Sequence, residues 1–512
     1  MKEEMKCLLM NKNTKIALIN LNTELNSIDK IYEIYNEDLA PLSFKNAIKN
    51  STVSPTKTLN NWYRGRGIPS WRKDLSDLLE KLNISSPDAL LDKAYSLSLS
   101  DQYWIKEENQ NIEWKDINFF TNDFKYQGFL SVSLSLQDDT NEEISLNSPN
   151  NTTDGMLSKA WIIEDEKRYL IKGTYSFSNQ EPINEWLTSK ICEKLGLDYC
   201  PYDIVIKNNK IMSKCECFIN QNEEIISAYD IFMSEEKPSH IKDIEHYTNI
   251  LEKHDIKDAR SKIEDMFLVD YIVMNYDRHM KNYGVIRNVE TGKWEKLTPI
   301  FDTGESLNCN KLTNEINFFR GQGKFFTNTE KDFFEYLDEI DLSKVDLSKL
   351  KDIPDIYKEK LIETKEYTDI TIDRINKLVN GLEKRINDLS EYKKRNYKKE
   401  ISAPKSIVWE DENNFINSSG QLEKERLSLL TKDDFENILD DIKYNIKHNV
   451  DFNLSKQEIV KEINNEVEIY VNNFFCSEEE HDKNELFEEI LDNLNLNKLL
   501  KENIKEDETE EE

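Results

Sequence analysis

The chain has 512 residues, of which 38% are hydrophobic and 33% are charged, and its formal net charge at pH 7 is −31. This length allows roughly three domains. The strong negative charge disfavours binding to nucleic acid and to anionic membranes. More than half of the acidic excess falls in residues 401–512, which end in an almost wholly acidic run.

Cysteine spacing and hydropathy indicate whether the chain binds zinc and in which cellular compartment it is found. The seven cysteines and six histidines are scattered, and none shows the spacing of a zinc site. No segment approaches the roughly 20 apolar residues of a membrane span, and the N-terminus lacks the apolar core of a signal peptide. We therefore predict a cytoplasmic protein with reduced thiols and no membrane partner. Secretion by a route without a cleaved signal stays open.

Residues 1–125 are predicted to form an N-terminal α/β unit. Cys7 to Met10 and Ile16 to Leu21 have the character of short strands, and the leucines from Leu75 to Leu82 repeat at helical spacing. Between these elements, Trp62 to Lys73 carries a local basic cluster. Such a cluster is more often a solvated turn beside a helix than a nucleic-acid site. A DNA-binding regulator is therefore the weaker interpretation.

Residues 126–240 are predicted to alternate between strand and helix. Pro182 suits the first turn of a helix, and Gly196 suits its C-terminal cap. Two short apolar runs precede this helix and two follow it: Ala160 to Ile163, Arg168 to Ile171, Ile204 to Ile206, and Ile211 to Ile219. The order strand, strand, helix, strand, strand indicates a small β-rich lobe.

Helical periodicity dominates from about residue 241. Ile263 to Val273 indicates one helix, and Ile372 to Leu389 indicates a long amphipathic helix. We place the end of this helical part, residues 241–400, just before Ala403. Residues 401–512 are predicted to form an acidic helical extension, with helices near 435–446 and 486–494 and a disordered end.

Three polar residues carry the chemistry that the sequence indicates. Phosphoryl transfer needs a carboxylate to accept the proton of the attacking hydroxyl and oxygen ligands to hold magnesium against the phosphates. Asp277 and Asn282 lie five residues apart, which suits a catalytic loop. A predicted hairpin over residues 283–297 returns the chain to Asp302, the second carboxylate. The sequence thus predicts Asp277 as the base and Asn282 and Asp302 as magnesium ligands.

A second group upstream suits the phosphates of ATP. Lys172 ends a predicted strand and can neutralise phosphates if a carboxylate from the next helix steadies it, for which Glu185 and Glu181 are both candidates. Residues 154–159, which include Gly155 and Lys159, can wrap phosphates with backbone N–H groups. Residues 141–154 just before them are polar and indicate a flexible loop.

These segments resemble the HipA-like serine/threonine kinases, a family of bacterial toxin and effector kinases. The resemblance covers roughly residues 128–388. It rests on these stretches: Gly155 with Lys159, Tyr169 to Lys172, Glu181 to Glu185, Asp270 to His279 with Asn282, and Pro299 to Asp302. The order Tyr-Asp-Arg-His at 276–279 and Phe-Asp-Thr-Gly at 301–304 departs from eukaryotic kinases, so regulation by their rules is not expected.

The resemblance implies an α+β, two-lobed protein-kinase-like fold with a small β-rich lobe and a large helical lobe. It implies ATP in the cleft, His279 near the nucleotide, and a hinge near Glu216 and Phe218 that meets adenine. It also implies self-phosphorylation in the loop before the phosphate-binding turn. The candidate hydroxyls there are those of Ser145, Ser148, Thr152, Thr153 and Ser158.

The resemblance favours a protein kinase that acts as a toxin or effector on an unidentified protein substrate. An antitoxin-like or regulatory protein partner is implied, while nucleic acid is an unexpected partner. Two alternatives stay open at this point. The same parts serve a small-molecule phosphotransferase, and a nucleotide-binding regulatory protein without activity would keep some of them.

Overall fold

The structure is a computed structural model that describes most of the first 402 residues. The described residues are 4–22, 25–68, 79, 90–91, 94–134, 147–153, 157–318, 321–324, 330–337 and 339–402, with 459, 460, 463, 464 and 467. The chain divides into two compact units, Met1–Asn387 and Asp388–Glu512. The four-part domain division stays a prediction. The helices predicted near 75–82, 435–446 and 486–494 lie outside the described residues, apart from residue 79.

The N-terminal part is an antiparallel sheet packed against two helices. Its strands are β1 (Glu4–Asn11), β2 (Thr14–Asn22), β3 (Ser27–Ile34) and β4 (Tyr103–Glu107), in the order β3-β2-β1-β4. Helices α1 (Leu42–Lys49) and α2 (Pro55–Arg64) bury Phe44 and Leu59 against Leu9 and Ile19 of the sheet. The two predicted strands are confirmed as β1 and β2, whose alternate apolar side chains supply this core.

The next part is the predicted β-rich segment. Two short helices precede it, α3 (Trp114–Ile117) and α4 (Gln127–Ser133). Its strands are β5 (Lys159–Glu164), β6 (Lys167–Lys172), β7 (Tyr202–Lys207) and β8 (Lys210–Glu216), in the antiparallel order β5-β6-β8-β7. Helix α5 (Glu181–Leu195) joins β6 to β7 and ends at Gly196, whose φ of +77° forms the expected cap. The order of strands and helix is confirmed.

A third, three-stranded sheet carries the segment between the two predicted carboxylates. Its strands are β9 (Glu223–Ser227), β10 (Gly284–Asn288) and β11 (Trp294–Leu297), in the order β11-β10-β9. The hairpin predicted over residues 283–297 is confirmed as β10 and β11, with Gly292 in its turn at a φ of +70°. The sequence did not reveal β9, which pairs with β10 in antiparallel register.

The remaining described elements are mainly helical. They are α6 (Ala228–Phe232), α7 (Asp243–Lys253), α8 (Ala259–Val273), the small strands β12 (Gln322–Lys324) and β13 (Glu330–Asp332), α9 (Phe333–Leu337), α10 (Ile353–Glu363) and α11 (Ile372–Ser402). A β-rich segment followed by a helical one confirms the predicted α+β class. In the part of the chain that the structure describes, no helix is long and apolar enough to cross a membrane.

Gly284 offers a test of this packing. A Cβ atom built on Gly284 would lie 1.9 Å from the carbonyl oxygen of Ile226 on the neighbouring strand. Because the backbone fixes the position of Cβ, no side-chain rotamer can relieve this clash. We expect Gly284→Ala to lower the thermal unfolding midpoint by several degrees more than Gly196→Ala. A Cβ atom on Gly196, the control position, would have no heavy atom within 4 Å. Alanine there therefore costs only the strain of a left-handed backbone, about 1–2 kcal/mol. Equal midpoints for the two variants would contradict the close approach of β9 and β10.

Candidate active site

The polar segment 275–282 follows α8 and is held by a buried ion pair. Asp270, near the end of α8, accepts two hydrogen bonds of 2.9 Å from the Arg278 guanidinium, and both side chains are fully buried. Arg278 also donates to the carbonyl oxygens of Asn282 at 2.9 Å and Phe301 at 2.8 Å. One guanidinium therefore ties together the two segments that carry the predicted carboxylates.

Asp277 and Asn282 are neighbours within this loop. The side-chain nitrogen of Asn282 donates to the main-chain oxygen of Asp277 at 3.1 Å, which leaves the amide oxygen as the available ligand atom. Nε2 of His279 lies 3.8 Å from Oδ2 of Asp277. Burial lowers the pKa of His279, although the Asp277 carboxylate opposes this. The loop thus presents a partly exposed carboxylate, an oxygen ligand and an imidazole that is mainly neutral at pH 7.

Lys172 lies at the centre of a second, deeper cluster. Its ammonium group is 2.6 Å from Oε1 of Glu185 and 2.7 Å from Oδ1 of Asp302, and it also donates to the Tyr202 hydroxyl at 3.3 Å. The Ser213 hydroxyl donates to the second oxygen of Glu185. The structure therefore joins β6, α5 and the segment after β11 through a single buried lysine.

The charges of this cluster are strongly coupled. Burial alone would lower the pKa of the Lys172 ammonium, but Asp302 and Glu185 outweigh it and hold the pKa well above its usual range. Burial would raise the pKa of Asp302, but the charges of Lys172 and Lys159 hold it well below its usual range. Asp302 is consequently an anion at neutral pH, which is the state that a metal ligand requires.

The structure separates the two candidate partners of Lys172. Glu185 contacts the lysine, whereas Glu181 accepts hydrogen bonds from the backbone N–H groups of Tyr175 at 3.0 Å and Ser176 at 2.5 Å. Glu181 therefore shapes the connection between β6 and α5, and Glu185 is the carboxylate that steadies Lys172.

The Phe-Asp-Thr-Gly segment fits closely against α5. A Cβ atom on Gly304 would lie 3.2 Å from Cβ of Glu181 and 3.5 Å from Cγ of Glu185, so the glycine allows this approach. Asp302 itself has a φ of +56°, a left-handed conformation that is uncommon for a residue with a side chain. Such strain is concentrated at functional sites, where the surrounding structure enforces it.

Two charged residues near the loop were not found by sequence reasoning. The ammonium group of Lys324, on β12, lies 2.6 Å from Oδ1 of Asp277. Glu305, three residues after Asp302, has a pKa raised to about 7 by burial and by the charges of Asp277, Glu181 and Asp302. The glycines at 321 and 323 precede Lys324 in a chain with only 13 glycines, and this was the available signal.

The residues of the predicted hinge lie at the end of β8 and just after it. Glu216 is the last residue of β8, and its exposed carboxylate forms an ion pair with Lys167 at 2.8 Å. Phe218 packs on Phe301 with 5.4 Å between ring centroids, beside the buried Tyr202. This apolar cluster lies next to the Lys172 site, since Tyr202 belongs to both. The adenine contact itself stays a prediction.

The predicted phosphate-binding turn is only partly described. Gly155 and Ser145 lie outside the described residues, while Lys159 begins β5 opposite Lys172 on β6. Lys159 lies opposite Lys172, and its positive charge lowers the pKa of Asp302. Both observations fit a role for Lys159 at the phosphates of ATP. That role and the role of Gly155 stay predictions.

The interpretation of residues 141–154 as a flexible loop is wrong for its described part. Residues Pro149–Thr152 form a 3₁₀ turn, and the hydroxyl groups of Thr152 and Thr153 donate to Leu97 at 2.8 Å and to Asn150 at 3.2 Å. The four described candidates for self-phosphorylation are all buried in this structure: Ser148, Thr152, Thr153 and Ser158. The polar side chains here hydrogen-bond within the protein, which composition alone does not reveal.

The candidate site offers few side-chain oxygens that could bind a metal ion. Within the described residues, no three or more His, Cys, Asp or Glu side chains form a ready-made metal site. Among the described residues, the predicted ligands are Asn282 and Asp302, which would supply one side chain each. Magnesium is commonly held by one or two protein oxygens together with substrate phosphates and water, so this small set suits magnesium bound with a nucleotide.

Comparison with known proteins gives the same family as the sequence motifs of this site. Residues 152–344 match the family model of the HipA-like C-terminal domain, which confirms the family resemblance over that segment. The crystal structure of the Helicobacter pylori proinflammatory kinase CtkA is similar with a TM-score of 0.32 and 19% identity, over 45% of this chain and 95% of that one. No curated protein matches the chain.

A second similar structure is HipA of Shewanella oneidensis MR-1, from a toxin–antitoxin complex with HipB and operator DNA. Its TM-score is 0.37 and its identity 12%, over 74% of this chain and 95% of that one.

The raised pKa of Glu305 predicts a pH-dependent effect on stability. Between the ordinary value of 4.5 and about 7, the folded state keeps a proton that the unfolded chain has lost, so the free energy of unfolding falls as pH rises through this window. We expect Glu305→Gln to stabilise the metal-free protein at pH 8 and to have a much smaller effect at pH 5. Urea unfolding of both proteins at the two pH values measures this. An equal difference at both would contradict the raised pKa.

Proposed function

We propose that the chain is an ATP- and magnesium-dependent protein serine/threonine kinase of the HipA-like type. The observation that carries this proposal is the buried Lys172, 2.6 Å from Glu185 and 2.7 Å from Asp302. A lysine steadied by a helix carboxylate beside a metal-binding aspartate is the arrangement by which kinases hold nucleotide phosphates. The match of residues 152–344 to the HipA-like C-terminal domain supports the same class.

Each residue then has a defined task. Asp277 orients the acceptor hydroxyl and takes its proton, since its carboxylate is partly exposed while its loop is fixed by the buried Arg278. Lys172 holds phosphate oxygens. Asn282 and Asp302 would hold magnesium, which, when bound, neutralises charge on the phosphates.

Self-phosphorylation and biological role are further parts of the proposal. A phosphate on Ser148, Thr152, Thr153 or Ser158 requires the segment 148–153, or Ser158, to leave its buried position, because these hydroxyls are enclosed in the structure. The added charge would disfavour return of the segment to the same place. By family resemblance, we propose a toxin or effector role with an antitoxin-like or regulatory protein partner.

Asp277→Asn tests the proposed base. We expect the substitution to lower phosphoryl transfer from ATP by at least about 10²-fold while ATP affinity changes little, because the carboxylate handles the acceptor and the nucleotide is held elsewhere. Asp255→Asn, a substitution of an exposed carboxylate after α7, is a matched control. Wild-type turnover in Asp277→Asn would show that this carboxylate is not the base.

Asp302→Ala tests the metal ligand. Removing the carboxylate should abolish the magnesium dependence of ATP binding as well as activity, because one of the two proposed protein ligands of the metal is lost. Calorimetric titration of ATP with and without magnesium measures the dependence. If the variant responds to magnesium as the wild type does, Asp302 does not hold the metal.

A further inference from the structure

Lys324 is paired with the proposed base although 47 residues separate them in sequence. Its ammonium group lies 2.6 Å from Oδ1 of Asp277, and both side chains are about one-third exposed. An ordinary surface ion pair of this exposure contributes little to stability. The position of Lys324 on a catalytic carboxylate therefore calls for an explanation other than folding energy.

The strand that carries Lys324 is built for close approach to the catalytic loop. A Cβ atom on Gly321 would lie 2.5 Å from Cε of Met274, and one on Gly323 would lie 3.1 Å from the carbonyl oxygen of Asn275. The Tyr336 hydroxyl donates to the carbonyl oxygen of Lys324 at 2.9 Å. Two glycines allow the strand to approach the loop, and the buried tyrosine binds the backbone of Lys324 there.

Two other cations near the loop, Lys172 and Arg278, already have carboxylate partners in the described structure. Lys172 is bound to Glu185 and Asp302, and Arg278 is bound to Asp270. Lys324 occupies Oδ1 of Asp277, while Oδ2 is 3.8 Å from His279. This division leaves Oδ2 for an acceptor hydroxyl, so the lysine and the acceptor need not compete for one oxygen.

We propose that Lys324 is a catalytic residue that contacts the phosphoryl group during transfer, an inference that rests on the proposed kinase function. An acceptor oxygen bound to Asp277 places the transferred phosphorus within roughly 6 Å of the carboxylate. The Lys324 ammonium, 2.6 Å from that carboxylate, is near enough for its flexible stem to reach a phosphoryl oxygen.

The transfer step can be written with this lysine in place. The acceptor oxygen forms a bond to the γ-phosphorus, the bond between that phosphorus and the β–γ bridging oxygen breaks, and ADP leaves with the electron pair. Oδ2 of Asp277 receives the hydroxyl proton. Lys324 donates hydrogen bonds to the transferring phosphoryl oxygens and so offsets negative charge on the acceptor side, as Lys172 does on the nucleotide side.

The test compares neutral and charged replacements in the full chain. Lys324→Met and Lys324→Gln remove the charge, Lys324→Arg keeps it, and Lys331→Met removes an exposed lysine from the adjacent strand β13 as a matched control. The assay follows γ-labelled ATP with magnesium into protein-bound and free phosphate, so that any acceptor, including water, is counted. Thermal midpoints and ATP affinity are measured beside it.

We expect the neutral variants to lose about 10²-fold or more in kcat with KM for ATP within about threefold, because the contact exists only in the transition state. Arginine should recover at least about tenfold, and Lys331→Met should match wild type. In the double variant Lys324→Met with Asp277→Asn, the loss of kcat should be no greater than in Asp277→Asn alone, since the two paired residues act together on one step.

Three results would overturn the inference. Neutral variants with kcat within threefold of wild type would remove the catalytic role and leave the kinase proposal intact. Neutral variants that fail to fold or lose ATP binding, without rescue by arginine, would make Lys324 a structural residue. A folded wild type that binds ATP and turns over none would overturn the kinase proposal and this inference together.

Discussion

The buried ammonium group of Lys172 is the constraint on which the proposed site depends. A charge removed from water is tolerated only if oppositely charged groups surround it, and here Glu185 and Asp302 both lie within 2.7 Å. These partners come from α5 and from the segment after β11, so the folded state must bring both segments to the end of β6. Removal of Glu185, whose carboxylate is itself buried, would leave the Lys172 charge poorly compensated, and breaking a buried pair in this way typically costs about 3–5 kcal/mol.

Local sequence signals revealed much of the scaffold and the core of the site. Pro182 and Gly196 mark the ends of α5, and the apolar runs on either side became the four strands of one sheet. The spacing of Asp277 and Asn282 and the hairpin before Asp302 identified the segments of the candidate site, because short-range spacing fixes which side chains share a loop. Sequence could not choose between Glu181 and Glu185, since both lie on the first turns of the same helix and only packing decides which faces Lys172.

Long-range contacts account for what sequence reasoning missed. Lys324 meets Asp277 only because Gly321 and Gly323 let a separate strand approach the loop, and nothing in local periodicity reports such an approach. The segment around Thr152 was misjudged for a related reason. Its asparagines, serines and threonines have the composition of a solvated loop, yet Asn150 hydrogen-bonds to the backbone of Trp161 and Thr152 to that of Leu97. Composition does not distinguish polar groups satisfied by water from those satisfied by protein.

The proposed site would transfer the γ-phosphoryl group of ATP to serine or threonine side chains of proteins. The most direct measurement incubates the purified chain with γ-labelled ATP, magnesium and a bacterial lysate, and then separates macromolecules from metabolites and maps the labelled residues by mass spectrometry. A protein kinase would place label on serine or threonine side chains of protein, and the label would be absent when magnesium is chelated. Label confined to small molecules, or no transfer by a folded protein that binds ATP, would contradict this proposal.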